Sequence, residues 1–252
     1  MERQKIGDST PECKNVVITG ASKGIGKELA MAFARENACV FICARNEIAL
    51  YNSLAEIQTR SSAATIKARP ADLSSLQGVQ GFGDWLMNEV KHTASGKIDV
   101  LINNAGSFTP GSVYNEENGV LEAMLATNLY SAYHLTRLLV PQMIAARQGH
   151  IFNMCSIASL NAYPNGGSYS ISKFALLGFN KNLREELKQH NIKVTAVIPG
   201  AVMSDSWADF DNSTKRIMEV TDIATMIVAA TKLSEQAVVE DIVFRPMLGD
   251  LP

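Results

Sequence analysis

Cysteine and histidine are scarce in this 252-residue chain, with four of each. Cys13, Cys39, Cys43 and Cys155 show no metal or redox spacing, and the histidines at 92, 134, 150 and 190 form no HxxxH or HExxH pair. The sequence therefore offers no catalytic metal site. Cys39 and Cys43 flank a β-like run and read as buried free thiols. Charge of one sign is also missing: the net value is −2, so no broad basic surface for nucleic acid is expected. No apolar run approaches the roughly 18 residues that a membrane span needs. The stretch 1–14 is polar and lacks the apolar core of a signal peptide, which leads us to expect a polar N-terminal extension on a cytoplasmic protein. Repeats, low-complexity tracts and Pro/Gly-rich linkers are absent too. Residues 1–252 are expected to form one domain, and a 46% hydrophobic composition is enough for a sizeable core.

What is present is alternation. Short, mostly apolar runs at 16–19, 39–43, 65–67, 100–102, 150–155, 193–198 and 238–244 read as strands. Stretches of helical period at 25–36, 47–60, 76–91, 121–146, 169–190 and 222–232 lie between them. Strands apolar on both faces belong to a parallel sheet covered by helices on both sides. The expected fold is α/β: a single Rossmann-type, doubly wound domain with a seven-stranded parallel sheet and right-handed crossovers.

The first strand runs into Gly20-Ala21-Ser22-Lys23-Gly24-Ile25-Gly26 and then an amphipathic helix. Glycines let a pyrophosphate approach main-chain N–H groups, and the helix N-terminus adds partial positive charge. The spacing is Gly-x3-Gly-x-Gly rather than the commoner Gly-x-Gly-x-x-Gly, but the strand before and the helix after are what the motif requires. A Walker-type loop is excluded, because Glu28 follows Lys27 and Ala21 stands where that motif needs glycine. NAD sites usually carry an acid at the end of the second strand. Here that strand ends in Arg45, which can pair with a 2′-phosphate, and Lys23 adds a second cation. NADP(H) is the expected cofactor.

Tyr169 and Lys173 lie four residues apart, with Ser156 thirteen residues before the tyrosine. A phenol beside an ammonium can hand a proton to a carbonyl oxygen. At this spacing the pair could equally be a surface pair on any helix. Ser156 and the glycine turn favour hydride transfer between a nicotinamide and a ketone or alcohol.

Together, Thr19-Gly20-x3-Gly24-x-Gly26, Ala71-Asp72-Leu73, Asn103-Asn104-Ala105-Gly106, Asn128, Ser156, Tyr169-x3-Lys173 and Pro199-Gly200 resemble the short-chain dehydrogenase/reductase family across nearly the whole chain. The resemblance implies roles. Tyr169 would be the general acid in reduction. Lys173 would favour phenolate and hold the nicotinamide ribose. Ser156 would hydrogen-bond the carbonyl, and Asn128 would anchor a water linking Lys173 to solvent. Asp72, with Leu73 beside it, would contact the adenine, although Asp72 could also cap the following helix. Asn104, Ala105 and Gly106 would line the cofactor cleft. Pro199, Gly200, Val202 and Ser204 would turn the chain over the nicotinamide. The lid, 201–220, and the loop after the fifth strand supply Ile157, Tyr163, Met203, Trp207 and Phe210 as an apolar and aromatic substrate pocket. With no arginine near the catalytic end, a small or flat carbonyl substrate is expected; Lys215 and Arg216 are expected on the lid's exposed face.

Rival readings are weaker. Ser170-Ile171-Ser172-Lys173 fits the S-x-x-K signature of serine–lysine acyl enzymes, but neither S-D-N nor K-T-G occurs. A silent dinucleotide-binding regulator would be expected to lack one of the four catalytic residues. Within the family, Pro199 to Val202, Trp207 and the C-terminal segment from Val239 to Asp250 resemble the bacterial sepiapterin-reductase-like branch. The alternative branch is 3-oxoacyl-[acyl carrier protein] reductase, for which Arg147 matches one carrier-docking position and His190 departs from another. Family members usually form homodimers or homotetramers through the two longest helices, and Phe174, Leu177, Gly178 and Lys181 are read as one mixed face of the second.

Overall fold

The computed structural model describes residues 13–61, 64–204, 207 and 210–251. Most of the expected N-terminal extension, 1–12, and lid positions 205, 206, 208 and 209 lie outside these residues.

Seven strands form one parallel sheet in the order β3-β2-β1-β4-β5-β6-β7. They are β1 (Asn15–Thr19), β2 (Cys39–Ala44), β3 (Ile66–Pro70), β4 (Val100–Asn103), β5 (Gly149–Met154), β6 (Ile192–Pro199) and β7 (Asp241–Phe244). The helices are α1 (Gly24–Arg35), α2 (Glu47–Arg60), α3 (Leu76–Val90), α4 (Val120–Leu125), α5 (Ser131–Ala146), α6 (Gly167–Leu187) and α7 (Val220–Ala230). Side chains alternate across each strand. In β1, Val16 and Ile18 pack with Leu29, Phe33, Leu50 and Ile223 of α1, α2 and α7, whereas Val17 faces Phe82, Leu86, Leu135 and Leu183 of α3, α5 and α6. Both faces are thus apolar, as the strand composition predicts, and each fully buried Leu or Ile contributes roughly 1.5–3 kcal/mol. The strand order reverses between β1 and β4, so a crevice opens at their C-terminal ends.

Three expectations need correction. The stretch 121–146 is not one helix: α4 passes through a π-helical turn, Ala126–Tyr130, into α5. A π turn inserts a residue without breaking the helical path, so hydrophobic period alone does not reveal it. The strand read at 238–244 begins only at Asp241. Arg184 lies beside its start: its Nε donates at 2.9 Å to Val194 O, the acceptor that a longer ladder would offer to Glu240 N, while its Nη2 donates to Glu240 O, which still accepts from Ala196 N at 2.9 Å. Third, Leu177 is buried, so the open face of α6 near Phe174, Gly178 and Lys181 has Ile171 in its place.

His150 is buried in β5, with its Nε2 2.8 Å from Thr195 Oγ1 and its ring stacked on Phe152. Burial, followed by the positive charges of Lys193 and Lys14, pushes its pKa down to about 3. The folded state keeps His150 neutral while the unfolded chain protonates near 6.5, so this contribution is present above pH 6.5 and lost as pH falls toward 3. At pH 5 the loss is about 2 kcal/mol. Urea unfolding at pH 7 and pH 5 should show it, and the drop should shrink in His150→Gln; an equal drop in both would refute the assignment.

Candidate active site

The glycine turn leaves β1 at its C-terminal edge. Gly20 has φ +66°, and a Cβ there would stand 2.8 Å from Ala105 Cα; on Gly26 a Cβ would stand 2.3 Å from Gly20 O. No other residue fits either position without moving backbone. The turn is tied to the exit of β4. Thr19 Oγ1 accepts from Asn104 N and Ala105 N, both at 2.9 Å, and Asn104 Nδ2 donates to Thr19 O at 2.9 Å and Gly20 O at 3.1 Å. At the start of α1, Lys23 is an extended N-cap with no side-chain cap bond, beside half-buried Ser22 and Ile25. Amides not capped by a side chain at a helix N-terminus are suited to an anion.

Arg45 follows β2 and Asp72 follows β3; Ala71 N donates to Ala44 O at 3.0 Å and holds the two exits together. Arg45 is exposed and Leu73 is buried. Asp72 does not cap α3: Ser75 does, accepting from Gly78 N at 3.0 Å. The Asp72 carboxylate instead accepts from Ser74 Oγ at 2.7 Å and Ser74 N at 3.1 Å. The Ser74 hydroxyl, its amide and the Arg45 charge together hold the carboxyl below its usual range, against the opposing effect of burial.

Ser156, Tyr169, Lys173 and Asn128 come from three elements and converge on this crevice. Ser156 caps the short 3₁₀ turn Ile157–Ser159 after β5, accepting from Ala158 N at 3.2 Å. Tyr169 is on the first turn of α6, and Lys173 follows one turn later with its Nζ 5.7 Å from the tyrosine ring centroid. Lys173 is 6% exposed and donates to Met154 O at 2.7 Å. Asn128 is on the π turn. Its Oδ1 accepts from Ser107 N at 2.8 Å, and its Nδ2 donates to Ser107 O at 3.0 Å and to Ser172 Oγ at 2.9 Å. It does not touch Lys173 directly; Gly106 lies between them, where a Cβ would stand 3.2 Å from Asn128 Oδ1 and 3.7 Å from Lys173 Nζ.

The electrostatics differ from expectation. Burial raises the Tyr169 pKa, Cys155 adds to the rise, and the Ser156 side chain lowers it. Burial also brings Lys173 down to about 8. Desolvation disfavours the charged form of each group, so the setting favours the protonated phenol over phenolate.

Two aromatic side chains, Phe108 and Tyr163, lie near Tyr169, and a second aromatic pair is on the segment after β6. Tyr163 is exposed, and burial, followed by the nearby Tyr169, raises its pKa while Ser170 opposes. Trp207 and Phe210 meet edge to face at 5.5 Å. Phe108, which sequence reasoning missed, stands edge to face against Tyr169 at 4.9 Å; its place two residues beyond Gly106 was the available signal. Ile157 is half-buried at the start of the 3₁₀ turn.

After Pro199, Gly200 N donates to Phe244 O at 2.9 Å. A bridge between buried Val202 and Met218, with Met203 N donating to Met218 O at 2.7 Å, closes the base of the lid. Ser204 reaches Gly24, where a Cβ would lie 3.5 Å from Ser204 Cβ. Arg216 is not on the exposed face: it is half-buried and donates to Gly249 O at 3.0 Å and Asp250 O at 2.9 Å. A groove of about 460 Å³ beside Gly24, Met31, Met203 and Val220 includes none of the four converging residues. Among the described residues no cluster could hold a metal ion, and no helix is long and apolar enough to cross a membrane.

A doubly wound sheet with a glycine turn at its switch point, and a serine, tyrosine and lysine gathered beside it, defines a dinucleotide-dependent oxidoreductase site. The chain belongs to the short chain dehydrogenase family, whose sequence profile it matches over residues 14–215. It is 30% identical over 243 residues to the sepiapterin reductase of Chlorobaculum tepidum, covering 94% of this chain and 97% of that one. It is 34% identical over 191 residues to dehydrogenase/reductase SDR family member 7B of Xenopus tropicalis, covering 75% of this chain but 61% of that longer protein. Among solved structures, a metagenomic short-chain oxidoreductase in complex with NADP is 30% identical with a TM-score of 0.79, covering 93% of this chain and 97% of that one. A single-substitution variant of actinorhodin polyketide ketoreductase with NADPH is 25% identical with a TM-score of 0.84, covering 95% and 98%.

NMR of ¹³Cε-labelled lysines should find one ammonium titrating near pH 8, the value to which burial brings Lys173. That signal should vanish in Lys173→Met. If every lysine titrates near its ordinary value, the buried-ammonium description is wrong.

Proposed function

We propose that this protein is an NADPH-dependent carbonyl reductase acting on a small or flat ketone, with Tyr169 as proton donor. The observation that carries this reading is the gathering of the half-buried Tyr169 phenol with Ser156 and the buried Lys173 ammonium at the C-terminal edge of the sheet. A general acid must hold its proton at working pH, and burial, by raising the Tyr169 pKa, supports that role.

The residues present suit the cofactor. Gly20 and Gly26 let the turn pack tightly against Ala105 and Gly20 O, and the start of α1, which lacks a side-chain cap, suits a pyrophosphate. Lys23 and Arg45 are exposed cations for a 2′-phosphate, and no acid ends β2. Two exposed pairings of about 1 kcal/mol each favour the phosphorylated nucleotide by roughly tenfold to a hundredfold. Asp72 and Leu73 would border the adenine; Asn104, Ala105, Gly106, Pro199, Gly200, Val202 and Ser204 would line the remainder. Bound there, NADPH supplies the hydride. The NADP in the metagenomic relative and the NADPH in the ketoreductase support this choice.

On the protein side, Ser156 would donate a hydrogen bond to the carbonyl oxygen as negative charge builds on it. Tyr169 would then give that oxygen its proton. Lys173, charged below about pH 8, would stabilise the resulting phenolate. Asn128 would steady this arrangement through Ser107 and Ser172, leaving room for a water toward Lys173. Phe108, Tyr163, Trp207 and Phe210 offer flat apolar faces, and the sepiapterin reductase similarity agrees with a flat substrate. Residues 201–220 would act as the lid of a single-domain, cytoplasmic enzyme that pairs with a second copy, using the open α6 face around Ile171 and Phe174. The acyl-carrier alternative rests on Arg147, whose guanidinium is turned to Gln189 O at 3.4 Å.

A panel of sepiapterin, diketones and acetoacetyl thioesters, read by NADPH oxidation, tests the reading. Tyr169→Phe should lower turnover by about 10²–10⁴-fold while NADPH affinity stays near wild type; retained turnover would sink the mechanism. Wild type should favour NADPH over NADH in kcat/KM by roughly tenfold or more, and Arg45→Ala should bring the two close together. Equal or better use of NADH by wild type would overturn the cofactor assignment. Acyl carrier and small thioester substrates of equal efficiency would argue against carrier docking.

A further inference from the structure

Glu116 belongs to the stretch between β4 and α4, yet its side chain reaches the start of α6. That helix begins at Gly167, and its N-cap, Gly166, makes no side-chain cap bond. Glu116 takes that place from a distant part of the chain. Its Oε1 accepts from Ser168 N at 3.0 Å, its Oε2 lies 3.3 Å from the same nitrogen, and Ser168 Oγ donates to Oε2. The surroundings leave room for this carboxylate: a Cβ on Gly167 would lie 2.0 Å from Oε1, and one on Gly111 2.7 Å from it.

The contact is braced from both sides. Glu116 N donates to Ser112 O at 3.0 Å, Gly111 N to Asn165 O at 3.1 Å, and Ser112 Oγ to Asn165 Oδ1 at 2.9 Å. Ser168 adjoins Tyr169, and Phe108, nearer β4 on the same stretch, meets the Tyr169 ring. One loop therefore grips the helix on either side of the phenol.

We propose that Glu116 is a positioning residue for Tyr169, capping α6 and opposing its positive end. This rests on the reading of Tyr169 as proton donor. A carboxylate at a helix N-terminus is stabilising, and negative charge near a phenol favours its protonated form. The titratable groups facing Tyr169 are Lys173 on α6, Cys155 after β5 and Tyr163 on the loop before α6. Glu116 acts on Tyr169 alongside them, through Ser168 and the first turn of α6.

The test compares full-length wild type, Glu116→Ala and Glu116→Gln. Amide hydrogen exchange over 168–170 should quicken about tenfold in the alanine variant and much less in the glutamine variant, which keeps one acceptor. The Tyr169 phenol, titrated as the ultraviolet difference between each protein and its Tyr169→Phe counterpart, should ionise about half a pH unit lower in both variants. With a carbonyl that wild type reduces, kcat should fall about tenfold in Glu116→Ala, NADPH affinity should hold, and Glu116→Gln should recover much of the rate. Unchanged exchange in the alanine variant would overturn the capping role. An unmoved phenol titration in both variants would overturn the electrostatic role. The exchange and titration arms need no turnover, so a wild type that reduces no carbonyl defeats the functional reading without masking their result.

Discussion

The site depends on the stitch between Thr19 and Asn104. Parallel strands β1 and β4 are neighbours at the switch point, and their exits would otherwise diverge into separate loops. The Thr19 hydroxyl accepts two amides, and the Asn104 amide donates to two carbonyls of the glycine turn. Four hydrogen bonds, each worth about 1 kcal/mol net, hold the crevice floor at a width that Gly20 and Gly26 alone allow. Everything that meets a cofactor there is measured from this floor: the start of α1, Gly106 between Asn128 and Lys173, and the lid descending on Gly24.

The second constraint is desolvation. Lys173 is inside the protein, where it donates to a carbonyl oxygen, and Tyr169 stands half-buried one helical turn before it. Burial lowers the Lys173 pKa and raises that of Tyr169, so two groups with similar ordinary values are driven apart. In the proposed reaction, a phenol that keeps its proton and an ammonium that gives one up more readily than usual would make a short proton path. A surface pair at the same helical spacing would have neither property, which is why burial distinguishes the two readings that spacing leaves open.

The fold was legible because its signals are local. Apolar strands alternating with amphipathic helices give the doubly wound order, and the glycine spacing marks β1. The features that were not legible depend on contacts between distant parts of the chain. The π turn that aims Asn128 at Ser107 leaves the hydrophobic period intact. Arg184 occupies Val194 O on β6, the acceptor that a longer β7 would use. The fate of Leu177, buried rather than on an open face, is decided by Ala196 and Ile198 of β6. Phe108 and Glu116 carry no motif, because their roles arise only when the stretch after β4 folds back over α6.

Helix α6 shows how one element can serve two ends of the molecule. Its last turns are structural: Arg184 ties it to Val194, Glu240 and Asp241. Its first turns carry Tyr169 and Lys173 but start on glycines, which contribute no cap of their own. A helix anchored at its C-terminal end and weakly capped at its N-terminal end is free to fray where the reactive groups sit. The carboxylate of Glu116 and the buried ammonium of Lys173 oppose that fraying from outside and within, one at the opening turn and one a turn later. Precision at Tyr169 therefore comes from side chains that fix the helix to its neighbours rather than from the helix itself.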